Sequence, residues 1–226
     1  MGRYVWSHPA NETARVKALA RAVTYQVKGR AGSRPTLARV GLGMRIEAPI
    51  HATGASKAVY ANPPDWSEML AWRRILRPGD LFVDVGSNVG LYAVWAADCG
   101  ATPVAVEPDP VNAERTRRNL ALNGVTVELH RCALAGRTGV MQFSRDFDTV
   151  NHLVVEGQGF PDRSREVEVR TLDEIVSGRR VRGVKIDVEG AERLVLEGAT
   201  DCLSQQLVDV FQLEWNQLSQ SLLACD

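Results

Sequence analysis

The segment Leu81-Phe82-Val83-Asp84-Val85-Gly86-Ser87-Asn88-Val89-Gly90 constrains the fold more than any other part of the chain. Its first five residues form a short apolar run, suited to a strand buried on both faces of a parallel sheet. Gly86 and Gly90 then permit a tight turn and a close backbone approach, and Leu91–Asp98 reads as a helix ended at Gly100. The rhythm repeats. Residues 103–106 make a second strand closing on Glu107, and Asp109-Pro110 opens a helix with aspartate as cap and proline in the first turn. That helix runs to Asn123 and stops at Gly124. Residues 125–130 form a third strand, 184–187 a fourth followed by a helix over 191–197, and 208–214 a fifth. Such alternation builds a parallel sheet with helices on both faces, a doubly wound, Rossmann-like α/β fold.

The other segments fit around this frame. Residues 140–143 and 166–170 alternate apolar and polar positions, as an inserted antiparallel pair would, and Thr171-Leu172-Asp173-Glu174 is a capping box opening a short helix. Upstream, residues 65–76 read as a helix stopped by Pro78-Gly79-Asp80, residues 44–50 as a short strand, and residues 29–43 as a loose connection rich in Gly, Arg and Pro. Val16, Leu19, Ala20, Val23 and Val27 recur at helical spacing after Asn11 as cap, with Arg15, Lys17, Arg21 and Lys28 between them. This predicts a basic N-terminal extension with an amphipathic helix over residues 1–59 and an α/β domain over residues 60–226.

Charge and cysteine narrow the class. The 226 residues carry 27 basic and 27 acidic side chains, and no apolar run approaches the ~20 residues that span a bilayer, so no integral membrane segment is expected. Residues 1–60 hold ten Lys or Arg against two acids, which leaves the rest of the chain acidic. A basic arm suits an anionic membrane, nucleic acid or plain solvation. The acidic remainder lacks the interleaved basic and aromatic residues of a nucleic-acid surface, and no nucleic-acid partner is expected. Cys99, Cys132, Cys202 and Cys225 lie too far apart for a paired zinc motif or a small disulfide scaffold, so they read as free thiols in a reducing cytoplasm.

The turn after the first strand points to a nucleotide-like ligand at the carboxyl ends of the strands. A dinucleotide fingerprint places a second glycine where Asn88 stands, so the loop suits a pyrophosphate poorly. Glu107, at the tip of the second strand, is placed to accept hydrogen bonds from two ribose hydroxyls. An adenosine ligand without phosphates and with a positive centre near Asp84 fits S-adenosylmethionine; an NAD-binding domain is the alternative. Asp187 and Glu189, at the end of the fourth strand, suit deprotonation of an alcohol, positioning of an acceptor, or a divalent metal that no ligand cluster in the sequence supports. For Glu189, a charge favoured at a helix N-terminus explains the residue equally well. Lys185 is either paired with an acid or exposed.

Five stretches in order complete a resemblance: residues 82–90, Ala105-Val106-Glu107-Pro108-Asp109-Pro110, Asn119-Leu120-Ala121-Leu122-Asn123, Thr171-Leu172-Asp173, and Val184-Lys185-Ile186-Asp187-Val188-Glu189-Gly190-Ala191-Glu192. Together they resemble the FkbM-type S-adenosylmethionine-dependent methyltransferases, over roughly residues 60–215. The resemblance implies a class I methyltransferase fold and O-methylation of a hydroxyl on a small sugar or natural product. Carried over by position, it assigns Asp84, Gly86, Ser87, Asn88 and Gly90 to the methionine and ribose side of the cofactor. It gives Glu107 to the ribose hydroxyls, Pro108, Cys132 and Ala133 to the adenine, and Asp187 to the sulfonium and the acceptor.

Some candidates lie outside those motifs. His152, on the long insertion between Phe143 and Glu166, is a candidate general base on an acceptor-side lid, whereas His130 reads as structural. Glu214 ends the fifth strand and is a candidate acceptor contact; Trp215 beside it is a candidate for stacking on a sugar ring. The resemblance implies two further strands after the fifth, and only eleven residues follow Trp215. The expectation is therefore a fragment or a sheet that stops at its fifth strand, whose bare edge invites pairing with a second copy. A cofactor-binding module without turnover is the competing functional reading.

Overall fold

A computed structural model describes residues 1–32, 34–50, 53–144 and 164–214. His152 and the rest of the insertion over 145–163, with Trp215 and the segment after it, lie outside the described residues.

The centre is a five-stranded, wholly parallel sheet. In chain order its strands are β3 (Leu81–Val85), β4 (Thr102–Val106), β5 (Glu128–His130), β9 (Val181–Ile186) and β10 (Val208–Leu213), and in space they run β10-β9-β3-β4-β5. Val83 lies opposite Val104 on one side and Val184 on the other. Alternation sends successive β3 side chains to opposite faces. Phe82 joins a core beneath α4 (Trp66–Ile75) and α5 (Leu91–Asp98), while Val83 and Val85 join one beneath α7 (Leu172–Val176), α8 (Glu192–Glu197) and α9 (Thr200–Ser204). The doubly wound expectation is met. Asp109 caps α6 (Pro110–Ala121) by accepting from the backbone N–H groups of Val111 and Asn112, both at 2.9 Å, and Thr171 forms the expected capping box.

The fourth strand begins three residues before the sequence suggests, because of Gly183. Glycine weakens a strand interior, yet here a Cβ would collide with the Trp72 ring, which packs on the strand and stands edge-on to Phe82. The indole takes the place of the missing side chain.

The N-terminal region holds α1 (Gly2–Ser7), α2 (Arg15–Arg30), an antiparallel hairpin of β1 (Thr36–Val40) and β2 (Met44–Ala48), and α3 (Thr53–Tyr60). The supposed loose connection thus contains a strand: Ala38 and Val40 point into the core between exposed Leu37 and Arg39. The helix over α2 is present but rotated from the expected face. Ala18, Ala22 and Tyr25 are buried, whereas Val16, Val23 and Val27 are 73%, 52% and 62% exposed. Small residues allow close approach, so alanines rather than valines meet the body of the protein. Asn11 does not cap this helix; its buried amide donates to the carbonyls of Val5 and Tyr60, both at 2.9 Å.

Two features tie this region to the sheet. Helix α5 is buried all round from Leu91 to Ala96, which requires cover on the side away from the sheet. Tyr25, Val40, Ile46, Ala55 and Val59 share its core cluster and supply that cover. The bare edge of β2 is satisfied by α6 and the turn that ends it, where Asn119 Oδ1 accepts from Glu47 N and Asn123 Oδ1 from Arg45 N, both at 2.8 Å. Residues two apart on a strand and four apart on a helix have nearly the same spacing, so two asparagines one turn apart act as an adjacent strand. Asn119 also donates to Val89 O at 2.7 Å, which anchors the glycine turn. A third, small sheet (β6, Ala133–Leu134; β8, Ser164–Arg170; β7, Gly139–Ser144) contains the expected antiparallel pair, with Met141 opposite Val167.

Two outcomes follow from this packing. Gly183→Ala destabilises the protein by about 1–3 kcal/mol through overpacking against Trp72, seen as a lower urea midpoint at unchanged slope. Asn119→Ala leaves the Glu47 N–H and the Val89 carbonyl without their partner and costs about 1–3 kcal/mol in the same assay.

Candidate functional site

One cavity opens at the carboxyl ends of the parallel strands and gathers most of the predicted residues. Asp84, Gly86, Ser87, Asn88, Glu107, Pro108, Cys132, Ala133, Asp187 and Glu189 all line it. Gly90 stands behind the lining, with φ +79° at the start of α5, where a Cβ would press on Thr116. His130 is paired with Glu128 at 2.8 Å and Arg170 at 3.3 Å, as a structural residue would be.

The glycine turn shapes the floor. Gly86 has φ +75°, and a Cβ there would collide with the Asp187 carbonyl oxygen. Only glycine lets the ends of β3 and β9 approach this closely. Asn88 also adopts a left-handed conformation, at φ +51°, which asparagine tolerates better than most residues. Its carbonyl accepts from Thr116 Oγ1 at 2.7 Å and its N–H donates to Glu107 Oε2 at 2.8 Å.

Glu107 is 5% exposed, and its second oxygen accepts from Asp109 N at 2.9 Å. Burial pushes its carboxyl up to about 8 although both N–H donors favour the charge. Asp84 is 1% exposed and raised to about 6, again chiefly by burial. Its Oδ2 accepts from Ala93 N at 3.0 Å, while Oδ1 is buried without a hydrogen-bond partner. A buried oxygen of this kind awaits a donor.

Beside Asp84 stands Lys185, 4% exposed, its Nζ 2.8 Å from Asp187 Oδ2 and 4.5 Å from the centre of the Tyr92 ring. Of the two readings offered by the sequence, paired is the one observed. Burial opposes its charge, but Asp187 and Asp84 outweigh that and raise its pKa. Burial likewise opposes the charge on Asp187, and Lys185 holds that carboxyl below its usual range. Glu214, just past β10, is pushed up to about 7 by burial and by the Asp187 charge. Glu189 has φ +52° in the loop after Asp187. Glu192, 1% exposed, holds that loop by accepting from Val188 N at 3.2 Å and Gly190 N at 3.1 Å.

The cavity also contains residues that motif reading missed. Lys57 reaches it from α3 and lies 4.0 Å from Asp65, and Tyr92 of α5 lines it with its phenol pKa raised by burial and by the Asp65 charge. Behind the lining, Gln212 of β10 accepts from Trp72 Nε1 of α4. These residues come from four separate elements, and no local spacing announces their convergence. The signal available was the burial expected of Lys185 inside an apolar strand. Among the described residues no group of three or more His, Cys, Asp and Glu side chains is arranged to hold a metal ion, and no helix is long and apolar enough to cross a membrane. The Cys132 thiol is buried and raised to about 11, so it serves as wall rather than nucleophile.

A doubly wound sheet with a glycine turn, a strand-end acid and a ligand cavity at its carboxyl edge defines a nucleotide-type ligand-binding α/β domain. Within that class the chain belongs to the Methyltransferase FkbM domain family, whose profile matches residues 84–222. Among curated relatives it is 29% identical to a 31-O-demethyl-FK506 methyltransferase FkbM of Streptomyces tacrolimicus over 56% of this chain and 62% of that one. It is 29% identical to Methyltransferase 1 of Beauveria bassiana over 55% and 60%. The chain thus spans about 60% of the length of these relatives. Among solved structures, an S-adenosylmethionine-dependent methyltransferase from Thiobacillus denitrificans in complex with S-adenosyl-L-homocysteine is 19% identical. That match covers 58% of this chain and 44% of the other, with a TM-score of 0.32.

The raised carboxyls carry a pH signature. Asp84 and Glu107 keep their protons to higher pH in the folded chain than in the unfolded one, so their contribution to stability is present at low pH. It is lost as pH rises, up to about 6 for Asp84 and about 8 for Glu107. The ligand-free protein therefore melts at progressively lower temperature from pH 6 to 8.5, and Glu107→Gln flattens that decline. An equal decline in the variant contradicts the assignment.

Proposed function

We propose that the protein is an S-adenosylmethionine-dependent methyltransferase that transfers a methyl group in line to a hydroxyl of a small sugar or secondary metabolite. The observation that carries the reading is Glu107. It is a buried carboxyl at the tip of β4, facing the same cavity as the glycine turn and the unpartnered Asp84 oxygen. Family membership supplies the methyl-transfer chemistry, and the Streptomyces relative, named for a 31-O-demethyl substrate, supports oxygen as the acceptor atom.

The residues fit such a cofactor. Glu107 would take the ribose diol, with Asn88 N holding its carboxylate in place. Pro108, Cys132 and Ala133 would flank the adenine. Asp84, Gly86 and Ser87 would face the methionine portion, where the Asp84 oxygen lacks a donor. When bound, the cofactor supplies an activated methyl group. The protein's own contribution is alignment: holding an oxygen nucleophile on the methyl–sulfur axis is worth several kcal/mol without covalent catalysis. Asp187 and Glu189, both on the cavity wall, would border the acceptor; His152, the candidate base from the sequence, lies outside the described residues. NAD is disfavoured because Asn88 stands where a pyrophosphate needs glycine. A divalent metal is not required by this scheme.

Titration with S-adenosylhomocysteine tests the reading by calorimetry. The expected result is binding of this ligand and not of NAD. Glu107→Ala should weaken it by about 100-fold or more, since two hydrogen bonds to a carboxylate are removed. Preference for NAD, or undiminished binding by a folded Glu107→Ala variant, overturns it.

A further inference from the structure

The cavity has two ends with different chemistry. The end beneath β4 and β5 is apolar apart from Glu107 and Asn112. The end beneath β9 and β10 is built from charges: Lys185 and Asp187 of β9 and its following loop, Glu214 after β10, Lys57 of α3, Asp65 ahead of α4 and Asp84 of β3. Within this group Lys185 is the only buried cation among the described residues, and it makes its short contact with Asp187 rather than with Glu214. Asp187 therefore has a fixed partner. Glu214 N donates to Ile186 O at 2.9 Å, which carries the β9–β10 pairing one residue further and sets Glu214 beside Asp187 on the wall of the same cavity; two carboxyls so placed favour one proton between them. Glu214 is also the more exposed of the two.

We propose that Asp187 and Glu214 share one proton at the acceptor end of the cavity, and that Glu214, once it has released this proton, is the base that deprotonates the methyl acceptor. The inference rests on the methyl-transfer reading above. In the step, the acceptor O–H proton passes to Glu214 as an oxygen lone pair bonds to the methyl carbon. The electron pair of the carbon–sulfur bond stays on sulfur, and the thioether product leaves uncharged. Glu214 then returns its proton to water. Nothing else is oxidised, reduced or consumed.

This arrangement also tells donor from product. The methyl donor carries a sulfonium charge and the product does not, so only the donor favours the doubly ionised pair. Asp187, Lys185 and Lys57 are the charged groups that act on Glu214, and the first is already held ionised by the second. An added cation is therefore expressed mainly at Glu214. The base is free when a methyl group is available and occupied by a proton after transfer.

No acceptor is needed to test this. S-adenosylmethionine and S-adenosylhomocysteine are titrated into the whole chain at pH 7 in buffers of different ionisation enthalpy, which counts protons released. The donor should release roughly half a proton more than the product, and the ratio of donor to product affinity should rise with pH through neutrality. Glu214→Gln should bind both ligands and lose most of this difference. Equal proton release by the two ligands in the wild type overturns the proposal, as does a difference that survives intact in Glu214→Gln. If that variant does not fold, carboxyl-carbon NMR on the wild type replaces it, and a Glu214 resonance that titrates identically in both complexes overturns the proposal. Failure of either ligand to bind is a different result, which removes the methyltransferase reading instead.

Discussion

The meeting of Gly86 with the Asp187 carbonyl is the contact on which the site depends. Adjacent parallel strands normally diverge into separate loops at their carboxyl ends. Here the absence of a side chain at Gly86 lets the β3 turn fold back against the end of β9. Asp187 N also donates to Val85 O at 3.1 Å, which continues the sheet ladder one residue beyond the strands. Asp84, Lys185 and Asp187 are thereby locked side by side. Glu107 is set by the same turn, since its carboxylate accepts from Asn88 N three residues after Val85. One backbone turn positions both ends of the cavity.

That turn is held from outside as well. Asn119 bonds the Val89 carbonyl and Thr116 bonds the Asn88 carbonyl, so one face of α6 supports the loop. The same Asn119 closes the edge of β2. The N-terminal hairpin and the glycine turn thus share a single side chain. Arg73 and Asp98 add a second tie: Asp98 accepts from Leu42 N at 2.9 Å and Gly43 N at 3.1 Å, while Arg73 pairs with Asp98 and stacks 4.2 Å over the Trp95 ring. The N-terminal region therefore belongs to the packing around α5 through its apolar residues, while its basic side chains are exposed, and Lys57 among them reaches the cavity itself.

How much of this was legible follows from the range of the interactions concerned. The five core strands, the Asp109 and Thr171 caps and the glycine turn are written in local sequence, because each depends on residues within a few positions of one another. The strand over 36–40 was not, since its alternation is short and lies beside Gly, Arg and Pro. The buried face of α2 was misjudged because apolarity pointed to the valines, whereas close packing selects Ala18 and Ala22. Gly183 hid the start of β9 because its partner, Trp72, is more than a hundred positions away. In the cavity, Asp84, Glu107 and Asp187 were visible as acids at strand ends. Lys57, Asp65 and Tyr92 were not, because only the tertiary fold brings them together.

The polarity of the two cavity ends follows from electrostatics. A buried lysine is tolerated only where carboxylates compensate it, and Lys185 has two in Asp84 and Asp187. Ionising Glu214 as well would set a third negative charge against that one buried cation in a partly dry space, so that carboxyl retains a proton near neutrality. A neutral ligand leaves this balance unchanged. A cationic ligand completes it and favours loss of the proton. The buried lysine thus does more than fill space: by keeping Asp187 charged, it makes Glu214 the group that responds to what occupies the cavity.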